Sequence, residues 1–257
     1  YMPTAVSPPA GQKAAGKSIP RVVYFPSCIN TVMGPASGDP DQAPLHQVIQ
    51  TVLERAGFNV VLASQNKGFC CGTPFESKGF FRQADHMSKD LSALLLELSD
   101  NGRFPVLCDT GPCVYRMRQT MDRQLKIYEP VEFIQDHLLD KLSIKPVKDP
   151  VAVHITCSSR KMGLEQVFQQ VFDRLAPASV FPDQVSCCGW AGDRGFNFPE
   201  LTAAALKPLK QSLGGKCMVG FSNSRTCEIG LSLHSGIYYK SVFYLLEKCS
   251  RQGRAEN

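Results

Sequence analysis

The sequence contains no Cys-x-x-Cys, although it has 11 cysteines among 257 residues. Structural zinc sites commonly draw their thiolates from such knuckles, so the usual small zinc fold is not indicated. No apolar run approaches the ~18–20 residues that cross a bilayer, and no transmembrane segment is expected. The first residues lack the charged-then-apolar order of a secretory signal. No Lys/Arg run or aromatic stacking motif accompanies the net charge of +5, so nucleic acid is not expected as a partner. Charged residues (20%) and hydrophobic residues (43%) occur at ordinary globular levels, which excludes a disordered chain.

What the sequence does have is clustered cysteine. Cys70-Cys71-Gly72 recurs as Cys187-Cys188-Gly189. A shuffled chain of this composition would hold about 0.04 copies of that tripeptide. A lone cysteine follows a strand-like run before each copy: Val22-Val23-Tyr24-Phe25-Pro26-Ser27-Cys28, and Val151-Ala152-Val153-His154-Ile155-Thr156-Cys157. A further apolar run after each copy leads to Cys113 and to Cys227. The odd number of cysteines and their grouping argue against a secreted disulfide scaffold. Vicinal cysteines rarely bridge each other, because adjacent residues strain the disulfide geometry. The pattern therefore points to a reducing compartment, the cytosol, and to metal.

Residues 1–19 read as a flexible Pro/Ala/Gly/Ser linker, and a start at Tyr1 fits a piece of a longer polypeptide. Strands are expected at 21–25, 58–63 and 104–107, and a loop at 26–41. Helices are expected after Asp41 as cap, with Pro44 in the first turn and Gly57 at the end, then over 79–99 and 131–142. The second half repeats the order, with strands at 151–155, near 180–181 and at 217–221, and helices over 164–175, 199–213 and 237–248. Lys78-Gly79-Phe80 matches Arg194-Gly195-Phe196 across the repeat. Alternating strands and helices imply an α/β fold of two pseudo-symmetric, Rossmann-like βαβ halves with parallel sheets. The cysteine sites then lie at the strand C-terminal ends, where loops distant in sequence converge.

Each half offers four motif thiols, Cys28, Cys70, Cys71 and Cys113 in the first and Cys157, Cys187, Cys188 and Cys227 in the second. Four thiolates suit a cubane iron–sulfur cluster, with tetrahedral zinc open for one half. Adjacent cysteines reach two irons of one cluster more easily than they chelate one small ion. The following glycine lets backbone N–H groups approach sulfur. Lys78, Arg194 and Arg225 beside the motifs offset thiolate charge or are solvated surface charges. Asp193 and Glu228 are candidate supporting partners or caps, and Trp190 a shield or a packing residue. His154, Cys217 and Cys249 read as core residues.

The doubled pattern resembles the cysteine-rich CCG domain family, which includes heterodisulfide reductase B subunits. The segments 25–28, 70–80 and 222–230 are most similar to the C-terminal region of bacterial FAD- and iron–sulfur-containing respiratory D-lactate dehydrogenases. The resemblance implies a first CCG domain at 20–146 and a second at 147–257. It implies 4Fe-4S ligation by the eight motif cysteines and no catalytic residue in this chain. It also implies a role as the electron-transfer module of a larger oxidoreductase. FAD would sit in an upstream flavin domain, since no flavin-binding motif is found here. The acceptor would be a quinone or a cytochrome, and the location the cytoplasm, contact with the cytoplasmic face of the inner membrane included. A zinc-stabilised docking module and heterodisulfide reductase-like disulfide chemistry are the alternatives. The family's Cys-x-x-Cys is altered here, with Thr110 and Ser224 at its first cysteine, which weighs against disulfide chemistry. Cys108, two residues earlier, is either a substitute or a core strand residue.

Overall fold

Val22, Val23, Tyr24 and Phe25 are apolar without alternation, as a strand covered on both faces requires. In the computed structural model, which describes residues 3–5, 19–63 and 68–251, they form the central strand β2 (Arg21–Phe25). β2 lies between β4 (Asn59–Leu62) and β5 (Val106–Cys108), and β6 (Ile127–Tyr128) completes a parallel sheet of order β4-β2-β5-β6. The second sheet, also parallel, has the order β7-β8-β9, with β7 at Ala152–Val153, β8 at Val219–Ser222 and β9 at Tyr238–Ser241. Val180 makes a single parallel bridge to Ala152, at the place β4 holds beside β2. The two sheets thus share one strand order, and the fold is the expected pair of Rossmann-like α/β halves.

Helices cover both faces of each sheet. α2 (Leu45–Arg55), α6 (Pro130–Phe133), α8 (Glu165–Leu175) and α13 (Val242–Ser250) join both sheets in one continuous core that includes Tyr24, Ile49, Phe133, Phe168, Phe172 and Phe243. α4 (Phe81–Leu98) and α5 (Gly111–Thr120) cover the far side of the first sheet. α11 (Leu209–Leu213) and α12 (Arg225–Ser235) cover that of the second, and α10 (Pro199–Ala205) packs against Gly189 and Gly230. Among the described residues no helix is long and apolar enough to cross a membrane.

Several elements depart from the expected pattern. Of the expected linker, residues 1–2 and 6–18 lie outside the described residues. Within it β1 (Pro3–Ala5) pairs antiparallel with β3 (Met33–Ala36). The expected loop at 26–41 holds β3 and a short helix, α1 (Cys28–Val32). Asp41 does not cap α2, which begins after Pro44; its carboxylate pairs with Lys240 Nζ at 2.8 Å. The helix expected over 131–142 passes after α6 into a π-helical turn, Ile134–Leu138. The helix expected over 199–213 is broken at Lys207 and Pro208, because proline lacks an N–H and bars its predecessor from helical geometry. The helix expected from 237 begins only at Val242, where the Ser241 hydroxyl accepts from Phe243 N–H at 3.4 Å; the tyrosines before it pair in β9.

Candidate functional site

The thiols stand at the carboxyl ends of the strands, where helices begin. Cys28 opens α1 after β2, and Cys157 opens α7 (Cys157–Lys161) after β7. Cys113 is the third residue of α5, and Cys227 the third of α12. The vicinal pairs precede α3 (Thr73–Glu76) and α9 (Arg194–Asn197).

Gly72 and Gly189 account for the third letter of the motif. Both have positive φ, +88° and +69°. A Cβ on Gly72 would run into the carbonyl oxygen of Ala84 in α4, and one on Gly189 would lie 2.7 Å from the carbonyl oxygen of Leu201 in α10. The contact falls at the same distance along the chain in each half. Only glycine allows the cysteine loop to turn left-handed while pressed against a helix backbone.

The sulfurs form two chains of contacts. In the first half the free thiols of Cys28 and Cys71 lie in hydrogen-bonding contact with Cys70, and Cys71 with Cys113. In the second, the free thiols of Cys157 and Cys188 lie in hydrogen-bonding contact with Cys187, and Cys188 Sγ lies 2.8 Å from Cys227 Sγ. One sulfur per half takes the charge. Thiol donation from Cys28 and Cys71, the Gly72 N–H at 3.4 Å and the Arg116 guanidinium hold Cys70 down at about 3. Donation from Cys157 and Cys188, with the Gly189 N–H at 3.4 Å, holds Cys187 at about 2. Their donors are pushed up, Cys28, Cys157 and Cys188 chiefly by those same bonds and Cys71 chiefly by its contact with Cys113, with burial adding in each case. The charged sulfur is the more exposed member of each vicinal pair.

Among the described residues, no three His, Cys, Asp or Glu side chains surround a single ion position. The sulfur separation of 2.8 Å is shorter than the about 3.8 Å edge of a tetrahedron with Zn–S bonds of about 2.3 Å. Holding a metal group therefore requires these thiols to lose protons and move apart. The donor chemistry fits such a group: four thiols in each half, one readily ionised, with glycine N–H groups directed at sulfur.

All eight motif cysteines predicted from the sequence thus fall into the two sets. Cys108, open between core and site, is fully buried at the end of β5, with its thiol in hydrogen-bonding contact with Cys113. Ser222 holds the corresponding place at the end of β8. Thr110 and Ser224 are buried N-cap residues of α5 and α12, and Thr110 Oγ1 is engaged by Ser27 Oγ at 2.8 Å and Asn30 Nδ2 at 3.0 Å. Lys78 pairs with Asp193 across the halves at 2.7 Å, so the two cysteine loops meet. Arg225 is buried and paired with Glu228 at 3.1 Å, away from the solvated role open to it. Trp190 is buried, edge-on to Phe196 at 5.0 Å, with Gly195 and Gly230 against its ring. Cys217 and Cys249 are core residues as expected.

Arg116 was not singled out. It is buried, donates through Nε to the Cys71 carbonyl at 3.1 Å and pairs with Glu76 and Asp85. Its signal was its place one helical turn beyond Cys113. Glu129 was also missed. Fully buried between the halves, it accepts from Asn223 Nδ2 at 2.7 Å and from Ser159 Oγ at 3.1 Å. Burial pushes its carboxyl up to about 7.

The cysteine-rich domain model CCG matches residues 22–101 and 151–231. The chain is similar to the uncharacterized protein YkgE of Escherichia coli (strain K12), 22% identical over 203 residues, which are 72% of this chain and 79% of that protein. Among solved structures it is similar to the Picrophilus torridus aspartate racemase, with TM-score 0.40 and 9% identity over 90% of this chain and 94% of that one. The glutamate racemase from Aquifex pyrophilus follows, with TM-score 0.38 and 10% identity over 89% of this chain and 81% of that one.

Proposed function

The chain belongs to the cysteine-rich CCG domain family, and on that premise we propose that it is an iron–sulfur electron-transfer module of a larger oxidoreductase. The supporting observation is the duplicated thiol set, each with one thiolate stabilised by a glycine N–H. Cys28, Cys70, Cys71 and Cys113 would hold one group, and Cys157, Cys187, Cys188 and Cys227 the other. A 4Fe-4S cluster supplies one-electron storage when bound. The protein's part is to furnish one ionised sulfur in each half, to direct a glycine N–H at it, and to exclude water behind Cys71 and Cys188. Tetrahedral zinc in one of the two halves is the alternative occupant.

The finer reading places the chain with an upstream FAD domain that oxidises a D-2-hydroxy acid, D-lactate by resemblance, and with a quinone or cytochrome as acceptor. It divides the chain into CCG domains at 20–146 and 147–257. Exposed Phe75, Phe80, Phe81, Phe196 and Phe198 follow the two cysteine loops and give a redox partner an apolar surface beside the exposed sulfurs. Visible absorbance followed during reductive titration tests the module. Cys71→Ser and Cys188→Ser should each remove one bleachable centre; unchanged spectra in both variants would refute ligation by these sets.

A further inference from the structure

The two halves differ where their strands end beside the thiols. β2 ends on Phe25, which faces Cys108 in the sheet register. In the second half the corresponding residues are His154 and Ser222, with His154 Nδ1 3.1 Å from Ser222 Oγ. His154 is only 3% exposed, and its Nε2 is buried with no partner. Arg160 Nε, from α7, is likewise buried without a partner. Both side chains line one cavity of about 280 Å³, close to the lower limit of small-molecule sites. In the tautomer in which Ser222 Oγ donates to Nδ1, His154 Nε2 carries the ring proton, and with Arg160 Nε it puts two buried N–H groups without acceptors at the cavity, which disfavours the cavity staying without an acceptor.

The rest of the lining narrows its chemistry. Val153, Ile155, Phe181 and Leu209 form an apolar wall. Glu165 and Asp183 also border the cavity, both exposed, with Glu165 Oε1 3.9 Å from Arg160 Nη1; these carboxylates weigh against anions in general and most against a doubly charged one. We propose that this cavity binds a small monocarboxylate, its oxygens accepting from His154 Nε2 and Arg160 Nε and its tail against the apolar wall. No thiol takes part, so the site stands apart from the iron–sulfur reading. The Phe25 position in the first half offers no such nitrogen, and the site belongs to the second half alone.

Calorimetric titration of the whole chain with propionate tests this. Saturable binding at millimolar concentration is expected, at least tenfold weaker for propionamide and for succinate. His154→Phe and Arg160→Met should each weaken propionate at least tenfold. Circular dichroism checks folding, and Arg160→Met decides the matter if His154→Phe does not fold. Absence of saturable heat, equal binding of propionamide, or retention of affinity in the folded variants would overturn the site and leave a water-filled cleft.

Discussion

Gly72 and Gly189 hold the cysteine loops against their helices, and their cost of replacement follows from two separate effects. Gly79, with φ +83° and no atom within 4 Å of the place a Cβ would take, isolates the first effect, left-handed strain. Gly72→Ala and Gly189→Ala add a collision with a helix carbonyl. Gly79→Ala should cost about 1 kcal/mol, and the other two about 2–4 kcal/mol, read from denaturant midpoints. Equal losses at all three positions would mean that the helix contact contributes nothing. Glu129 makes a pH prediction at the same scale. Its pKa is raised by burial to about 7, so the folded state holds a proton that the unfolded state releases near 4.5. Its stabilising share is therefore complete below pH 4.5 and lost as pH rises through 7, about 3 kcal/mol in all. Glu228, raised by burial to about 7, adds a loss of the same sign. Glu129→Gln should flatten the fall in stability between those pH values; an unchanged slope would contradict the assignment.

At the scale of elements, helix starts organise the site. The Thr156 hydroxyl accepts from Ser159 N–H at 3.1 Å and contacts Ser158 Oγ and Ser159 Oγ at 2.8 Å, fixing the helix that Cys157 opens. Thr156→Ala should cost about 1–2 kcal/mol in thermal or chemical unfolding. Ser27, its counterpart, makes no side-chain cap bond and is instead tied to Thr110. The repeat of cysteines was legible because strand, loop and thiol recur together, and the parallel sheets followed from alternation of apolar runs. Where that failed, local signals were overridden by tertiary ones. Tyr238 and Tyr239 carry an apolar period that continues into α13, yet they pair with β8. Asp41 resembles a cap, yet a buried lysine claims it. Glu129 was illegible, because a charged residue shows nothing in sequence of being buried with partners far along the chain; Arg116 showed only its place one helical turn beyond Cys113. His154 was read as a satisfied core residue; only one of its nitrogens is satisfied.

At the scale of the whole molecule, the halves share a core and exchange charges. Lys240 in β9 is buried with Asp39 Oδ1 at 2.6 Å, and Arg55 in α2 reaches Glu247 in α13 at 3.3 Å. Lys240→Met strands a buried carboxylate and should cost about 3–5 kcal/mol. The continuous core also requires the halves to unfold together. Trp190, the single tryptophan, reports on the second half, whereas far-ultraviolet dichroism reports on both. The two transitions should coincide, and a Trp190 transition at lower denaturant would separate the halves. Beyond stability, the central claim concerns what the two thiol sets hold. Iron and acid-labile sulfide, measured on the whole chain purified anaerobically, test it most directly. Iron and sulfide in comparable amounts, with visible absorbance that bleaches on reduction, are the expected result. Zinc alone, with no such absorbance, would contradict it.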